Sequence, residues 1–105
     1  MIKEKRHYLL VECTADTAAA QDFGRELQNE LLRCIGEIQF HVVNPKFERS
    51  EGSNRFIISG TVEGMGSLIV ALSMIKRIGG NSIAMFTLKR SGTVTALMGG
   101  ARAAD

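Results

Sequence analysis

The chain has 105 residues, of which 45% are apolar and 23% are charged. This composition excludes a disordered protein, and the length predicts one domain with a single core over residues 1–105. No apolar run approaches the roughly 20 residues that a membrane-spanning helix needs, and no apolar block follows the charged residues at the N-terminus. We therefore expect a cytoplasmic protein with no membrane partner.

The charge and the cysteines narrow the expected chemistry. A formal net charge of +2 permits nucleic-acid binding without demonstrating it, because dedicated nucleic-acid modules are usually more basic. Cys13 and Cys34 form no CxxC pair and have no histidine at metal-ligand spacing. We expect two buried, reduced thiols and no metal site.

The N-terminal part of the chain predicts a strand followed by a helix. Residues 7–13 alternate as in a central strand. One face carries Leu9, Val11 and Cys13, and the other carries Tyr8, Leu10 and Glu12. Residues 14–17 offer capping oxygens before a helix whose apolar stripe recurs at spacings of three and four. The stripe consists of Phe23, Leu27, Leu31, Cys34, Ile35 and Ile38.

The middle of the chain predicts two strands joined by a hairpin. Gly36 ends the first helix, and Phe40, Val42 and Phe47 are expected on the inner face of a second strand. Pro45 interrupts this strand and predicts an edge position, because proline lacks the N–H that a sheet ladder needs. Residues 50–54 have the composition of a turn, and a third strand follows over residues 55–62.

The last part of the chain predicts a helix and a strand. The helix spans residues 67–78, is apolar nearly all round, and ends at Gly79 and Gly80. Such a helix is buried on several sides or presents an apolar face to a partner. Residues 82–90 predict a fourth strand, and the Ala- and Gly-rich remainder can form a short helix or a frayed tail.

The element order βαββαβ predicts an α+β fold. Right-handed crossovers place the first strand between the third and the fourth. The expected architecture is a ferredoxin-like sandwich with RRM-like topology, in which a four-stranded antiparallel sheet carries both helices on one face. Many unrelated functions use this fold, so function has to be inferred from side chains.

The sequence offers no constellation of residues for catalysis. His7 begins the first strand and His41 is expected on the open face of the second, and neither has a carboxylate at helix spacing. Residues 64–67, GMGS, lack the lysine of a phosphate-binding loop, so a tight turn is expected there. We therefore expect no catalytic residue and no metal-binding residue on this chain.

Basic residues form two clusters. Lys5 and Arg6 precede the first strand, and Lys89 and Arg90 end the fourth, so antiparallel pairing places all of them at one edge of the sheet. A second cluster surrounds the predicted hairpin and consists of Lys46, Arg49 and Arg55. Contacts with phosphates would give salt-dependent affinity. A solvated strand end explains each residue alone better than RNA binding does, whereas for the first cluster taken together the two interpretations are equally supported. Tyr8 is the only aromatic residue predicted on the open face, which disfavours base stacking and favours a structured RNA.

Four segments of the chain, RHYLLVE, FGREL, LIVALSMI and SGTV, in this order resemble archaeal ribonuclease P protein component 2. RHYLLVE at residues 6–12 and SGTV at residues 91–94 match the strands that open and close that family's domain. FGREL at residues 23–27 and LIVALSMI at residues 68–75 are similar to its two helices. The likeness spans residues 6–97, with departures at Thr95, where the family often has arginine, and in the loop at residues 35–37.

The resemblance implies a non-catalytic protein subunit of an RNA-based endonuclease. Such a protein pairs with ribonuclease P protein component 3, and the two bind the ribonuclease P RNA, which removes 5′ leaders from precursor tRNA. Mg²⁺ would be held by the RNA, this chain would carry no cofactor, and it would contact precursor tRNA indirectly. A homodimer and a heterotetramer both stay open.

Two sets of residues are expected to make these contacts. The RNA-binding set is Lys5, Arg6, Lys89 and Arg90, followed by Lys46, Arg49 and Arg55. The partner-binding set lies on the open sheet face and consists of Tyr8, Leu10, Ile57 and Met85. The exposed part of the second helix is a further candidate for contact with a partner protein.

Two other interpretations stay open from the sequence. An ACT-like small-ligand regulatory domain has the same fold, but such domains usually bind amino acids near a glycine-containing loop after the first strand, and residues 13–16 contain no glycine. A plain dimeric scaffold is the other. Salt-dependent binding of ribonuclease P RNA would favour the ribonuclease P subunit, and protection by free amino acids in thermal melts would favour the ACT-like domain.

Overall fold

The computed structural model describes residues 5–14 and 21–97. The predicted capping residues 15–17 therefore lie outside the described residues, as does the chain beyond residue 97. In chain order the elements are β1 (Arg6–Cys13), α1 (Phe23–Ile35), α2 (Glu37–Val43), β2 (Lys46–Ser50), β3 (Arg55–Thr61), α3 (Met65–Met74), β4 (Arg77–Ile78), β5 (Asn81–Ser82) and β6 (Met85–Ser91). Residues 94–97 form one further helical turn. Within the described ranges, no helix is long and apolar enough to cross a membrane.

The four long strands form one antiparallel sheet in the order β2-β3-β1-β6. In β1, Leu9 pairs with Ile58 and Val11 pairs with Phe56, both in β3. The first strand therefore lies between the third and the fourth long strands, which confirms the predicted ferredoxin-like α+β topology. The short strands β4 and β5 pair only with each other.

The main core lies between the sheet and the helices. Leu9, Val11 and Cys13 of β1 pack there, which confirms the predicted inner face of that strand and the burial of Cys13. The helices contribute Phe23, Leu27 and Leu31 from α1 and Met65, Leu68, Ala71 and Leu72 from α3. Both helices thus cover the same face of the sheet. Burial, together with the charge of Glu12, raises the pKa of the Cys13 thiol to about 11.

Three phenylalanine rings connect α1 to the edge of the sheet. The ring centroids of Phe23 and Phe56 are 5.3 Å apart, and those of Phe23 and Phe47 are 5.9 Å apart. These are edge-to-face contacts, which the quadrupole of aromatic rings favours. The inward position predicted for Phe47 is confirmed, because it packs against the core from β2.

The segment predicted to begin the second strand is a helix. Gly36, with φ of +86°, separates α1 from α2, and Asn44, with φ of +44°, ends α2 in a left-handed conformation. The helix buries Val43 and leaves Val42 46% exposed. The predicted strand would instead have buried Val42 and exposed Val43. Pro45 precedes β2 instead of interrupting it, and His41 lies on a helix instead of an open sheet face.

The predicted stripe of α1 is wrong at Cys34 and Ile38, while Ile35 packs against the main core as predicted. Phe23, Leu27 and Leu31 are buried, but Cys34 is exposed and Ile38 is 82% exposed. The break at Gly36 changes the direction of the chain, so Ile38 no longer continues the face that α1 presents to the core. Cys34 lies before this break, in the last turn of α1, and is exposed there, so the prediction that Cys34 is buried was wrong.

The second predicted helix ends earlier than expected. α3 stops at Met74, and Gly79 and Gly80 form the two-residue turn between β4 and β5. Both glycines have positive φ, 59° and 82°, as a type I′ hairpin turn requires. The predicted end of a helix at these glycines was thus a hairpin, and the last long strand begins only at Met85.

The sheet face opposite the helices is partly covered. Leu10 and Ile57 are buried there together with Leu97, and Tyr8 and Val94 pack against them. Residues 94–97 therefore occupy the face that the sequence predicted to be open. Met85 was placed on the wrong face, because it pairs with Cys13 and belongs to the main core.

Candidate nucleic-acid interface

The start of β1 and the end of β6 lie side by side. Leu10 pairs with Lys89, Leu9 with Arg90 and Tyr8 with Ser91. The antiparallel register thus brings the segment of Lys5 and Arg6 to the same end of the sheet as Lys89 and Arg90. This is the arrangement expected from the topology.

Lys46 joins this end of the sheet. It begins β2 and pairs with Ser59, which in turn pairs with Tyr8 of β1. The predicted position of Lys46 beside the hairpin was wrong, because the strand begins at this residue and the hairpin follows its other end. We call this end of the sheet the basic rim; its members are Lys5, Arg6, Lys46, Lys89 and Arg90.

A histidine holds the Arg90 side chain at the basic rim. The Nε–H of Arg90 donates to Nδ1 of His7 over 2.9 Å. Both residues lie on the side of the sheet that faces the helices, since Arg90 pairs with Leu9. The bond uses one donor of the guanidinium, and its two NH₂ groups have no partner among the described residues. A planar group held in this way can contact a phosphate with two donors.

Arg6 differs from the other members of the basic rim, because its guanidinium binds the chain itself. One NH₂ group donates to the carbonyl oxygen of Asn44 over 2.7 Å and to Oγ of Ser59 over 2.9 Å. Ser59 is fully buried, and its hydroxyl donates to Oε2 of Glu48 over 2.6 Å. Arg6 thus connects β1 to the segment between α2 and β2, which assigns it a structural role.

The two arginines of the second cluster are paired with acids. Arg55 contacts Glu12 across the β1–β3 pair over 3.0 Å, and Arg49 pairs with Glu51 in the hairpin. Both pairs are solvent-exposed, and exposed pairs contribute only about 0–1 kcal/mol, so a phosphate could exchange with either acid. The side chains of Lys5, Lys46 and Lys89 form no ion pair within the described ranges.

An exposed aromatic residue on the sheet was missed by the sequence prediction. Phe86 pairs with Glu12 on the face opposite the helices and is 54% exposed. Tyr8 is therefore not the only aromatic residue on that face. No pattern in the sequence indicates this position, because the β-bulge at Leu10 and Val11 shifts the register along β6.

Other contacts at the rim were also beyond sequence reasoning. His7 and Arg90 are 83 positions apart, and Arg6 and Ser59 are 53 apart. No spacing rule joins side chains at such separations; only the strand register does.

The fold and the basic rim define a small ferredoxin-like α+β domain with cations concentrated at one end of its sheet. In the part of the chain that the structure describes, no group of three or more His, Cys, Asp or Glu could hold a metal ion. The chain belongs to the Rpp14/Pop5 family, whose family model matches residues 7–101. This match confirms the resemblance to a ribonuclease P protein seen in the sequence.

A solved structure supports the fold. The chain is similar to a chain in the cryo-EM structure of yeast ribonuclease MRP, with a TM-score of 0.66 and 16% sequence identity. The similarity covers 89% of this chain and 78% of the other. A comparison with curated proteins gave no match.

Proposed function

We propose that this chain is a non-catalytic protein subunit of ribonuclease P. Together with protein component 3 it binds the catalytic RNA and assists the removal of 5′ leaders from precursor tRNA. Membership in the Rpp14/Pop5 family supports this function over the ACT-like alternative. The RNA and its Mg²⁺ ions carry out the cleavage, and the protein acts in the cytoplasm.

The observation that carries the proposal is the basic rim. Lys5, Lys46, Lys89 and Arg90 lie at one end of the sheet, and none of them forms an ion pair with an acid of the described chain. Cations placed in this way offset the repulsion between phosphates of two RNA segments, which favours the compact, active RNA. Arg49 and Arg55 are secondary RNA contacts, which release their acidic partners and bind phosphates instead. Arg6 supports the basic rim through its hydrogen bonds to Asn44 and Ser59.

Phosphate contact, more than base stacking, is the expected mode of binding. Phe86 is the one aromatic side chain of the described sheet that is more than half exposed, and it can accept a single unpaired base. The rim cations can contact several phosphates at once. Binding should therefore depend on the shape of the RNA and on salt more than on its sequence.

A salt titration tests the RNA contact. Filter binding of ribonuclease P RNA is measured from low to moderate salt with the wild-type chain, alone and with component 3, and with the double variant K89Q/R90Q. Loss of two phosphate contacts should reduce the slope of log K against log salt by about two.

Lys76 provides the matched control. β3 ends beside Arg6, and α3 begins there and runs back, so Lys76 lies at the opposite end of the sheet from the basic rim. Lys76→Gln should leave the slope unchanged when the chain is titrated without component 3. Equal slopes for wild type and K89Q/R90Q would show that the rim does not contact the RNA.

A reconstitution experiment tests the function itself. Omission of this chain from the assembled particle should slow cleavage of precursor tRNA and raise the Mg²⁺ concentration required, because fewer cations then offset the phosphate charge. Unchanged cleavage over the whole Mg²⁺ range would refute the proposed function and leave the fold untouched.

A further inference from the structure

A groove runs along the outer side of α3, where α3 meets the end of α1 and the first half of α2. Its volume is about 360 Å³. It is lined by Cys34, Ile35, Gln39, Gly66, Ser67, Val70, Ala71 and Met74. The groove lies on the helix layer and includes no residue of the basic rim.

The wall that α3 contributes is apolar and exposed. Val70 is 56% exposed and Met74, one turn further along, is 62% exposed. The opposite side of α3 is already buried, with Leu68 and Leu72 in the main core. The core therefore does not require apolar residues on the exposed side of α3. Two exposed apolar side chains on successive turns, lining one groove, are suited to contact with an apolar stripe of another molecule.

The groove ends in positive charge. A second cleft of about 440 Å³ shares Cys34 and Met74 with the groove, and its charged lining consists of three cations and one acid, Arg33, Lys76, Arg77 and Glu30. Arg33 is paired with Glu30 over 3.1 Å, and an NH₂ group of Arg77 donates to the carbonyl oxygen of Gly80 over 3.0 Å. The Lys76 side chain is exposed and has no partner among the described residues. An occupant of the groove thus meets an apolar wall first and cations at one end.

We propose that this groove binds an amphipathic helix of a partner protein. Leucine-like side chains on one stripe of that helix pack against Val70 and Met74, and acidic side chains at one end pair with Lys76 and Arg77. α3 has ten residues, which is roughly 15 Å of helix, so the occupant contributes about three turns. This inference deepens the proposed function, which includes a partner protein, by assigning a surface and a chemical class to such a partner; its peptide test does not depend on RNA binding.

Charge and length argue against other occupants. In a second copy, α3 (MGSLIVALSM) carries no acidic residue that could pair with Lys76, and α2, which has Glu37 beside exposed apolar side chains, has only seven residues and is too short to fill the groove. An RNA would have to place phosphates against the apolar side chains of Val70 and Met74, which give no hydrogen bond in exchange for the water they displace. A helix that combines an apolar stripe with carboxylates satisfies both halves of the surface.

Two designed peptides test the proposal. Each is a three-turn helix with leucines at i, i+4 and i+7; one has glutamates in its last turn and the other has lysines there. Fluorescence anisotropy measures their binding to the full chain. The glutamate peptide should bind, and Val70→Ser or Met74→Gln should weaken binding at least about tenfold, the loss expected at the centre of an interface.

A charge reversal at Lys76 distinguishes specific ion pairing from nonspecific hydrophobic binding. Lys76→Glu should weaken binding of the glutamate peptide and strengthen binding of the lysine peptide. Leu88→Ser, at an exposed apolar residue on β6, is the control and should change neither affinity. Circular dichroism of each variant shows whether it is folded.

Three outcomes would overturn the proposal. One is equal affinity of the two peptides for the wild-type chain, and another is an affinity that Val70→Ser does not change. The third is concentration-dependent dimerisation that Val70→Ser abolishes, since a second copy would then be the occupant. The salt titration with RNA is independent of all three, because Val70→Ser should not change its slope.

Discussion

Leu97→Ala should destabilise the protein, because Leu97 covers the sheet face opposite the main helices. Leu97 is fully buried and contacts the cluster formed by Leu10 and Ile57. Its turn is held by a bond from the Leu97 N–H to the Thr93 carbonyl, 3.1 Å, and by one from the Ala96 N–H to Oγ1 of Thr93, 2.9 Å. The turn is therefore anchored mainly by apolar contacts, to which Val94 contributes in part and the fully buried Leu97 contributes most.

The size of the effect follows from burial. Leu→Ala in a core costs about 2–5 kcal/mol, and the lower half of that range applies here because a cluster at the edge of the domain can relax around the cavity. We expect a loss of about 2–3 kcal/mol in the free energy of unfolding, which corresponds to a fall of roughly 10–20 °C in Tm for a domain of this size.

Urea unfolding followed by circular dichroism measures this loss, with Leu88→Ala as the matched control. Leu88 is 47% exposed on β6, and its truncation should change stability by less than about 0.5 kcal/mol. Equal stabilities of the two variants would show that residues 94–97 do not cover the sheet in solution. The face would then be open, as the sequence alone had suggested.

Three further predictions concern other parts of the fold. Gly64→Ala should destabilise the protein by about 1–3 kcal/mol, because a Cβ there would lie 2.6 Å from the backbone at the end of α2. Gly66→Ala, where a Cβ meets open space in α3, should instead stabilise it by about 0.5–1 kcal/mol. Urea unfolding measures both variants, and a less stable Gly66→Ala than Gly64→Ala would contradict the position of the loop before α3. Ellman's reagent at pH 8 should modify the exposed Cys34 quickly and Cys13 only after unfolding, because burial raises the pKa of the Cys13 thiol to about 11. Since the pKa of this thiol is higher in the folded than in the unfolded protein, its contribution to stability is fully present below pH 9 and is lost between about pH 9 and 11. Equal reaction rates of the two thiols would contradict both statements. Arg6→Ala should lower stability by about 1–3 kcal/mol in urea while leaving the RNA salt slope unchanged, because its guanidinium binds the chain; a reduced slope at unchanged stability would make it an RNA contact after all.

The family and the topology could be read from the sequence because they depend on local patterns. Apolar residues alternate with period two in the first strand (Leu9, Val11, Cys13) and recur with the helical period in the first helix (Phe23, Leu27, Leu31). The pattern of each segment therefore predicts both its conformation and its buried face. Once strands and helices are placed in order, crossover handedness leaves few topologies, and the observed order β2-β3-β1-β6 is the expected one.

The failures occurred in short segments. In residues 37–43, apolar side chains fit a strand and a helix almost equally well, and the choice was made by Gly36 and Asn44 at the two ends and by the burial of Val43 against the core. The hairpin at Gly79 and Gly80 was taken for a helix end for the same reason, since a glycine pair serves both.

The sequence by itself determined the class of fold, the family and the set of cations available for binding. Only the tertiary structure decided which cations stay available: Arg6 binds Ser59, Arg55 pairs with Glu12, and Arg90 is held by His7 with its two NH₂ groups still available. It also decided that Leu97 covers the sheet and that α3 leaves an apolar groove exposed. The physical reason is distance along the chain, because local periodicity fixes a segment's conformation, whereas pairing and coverage depend on segments that meet only after the sheet has formed.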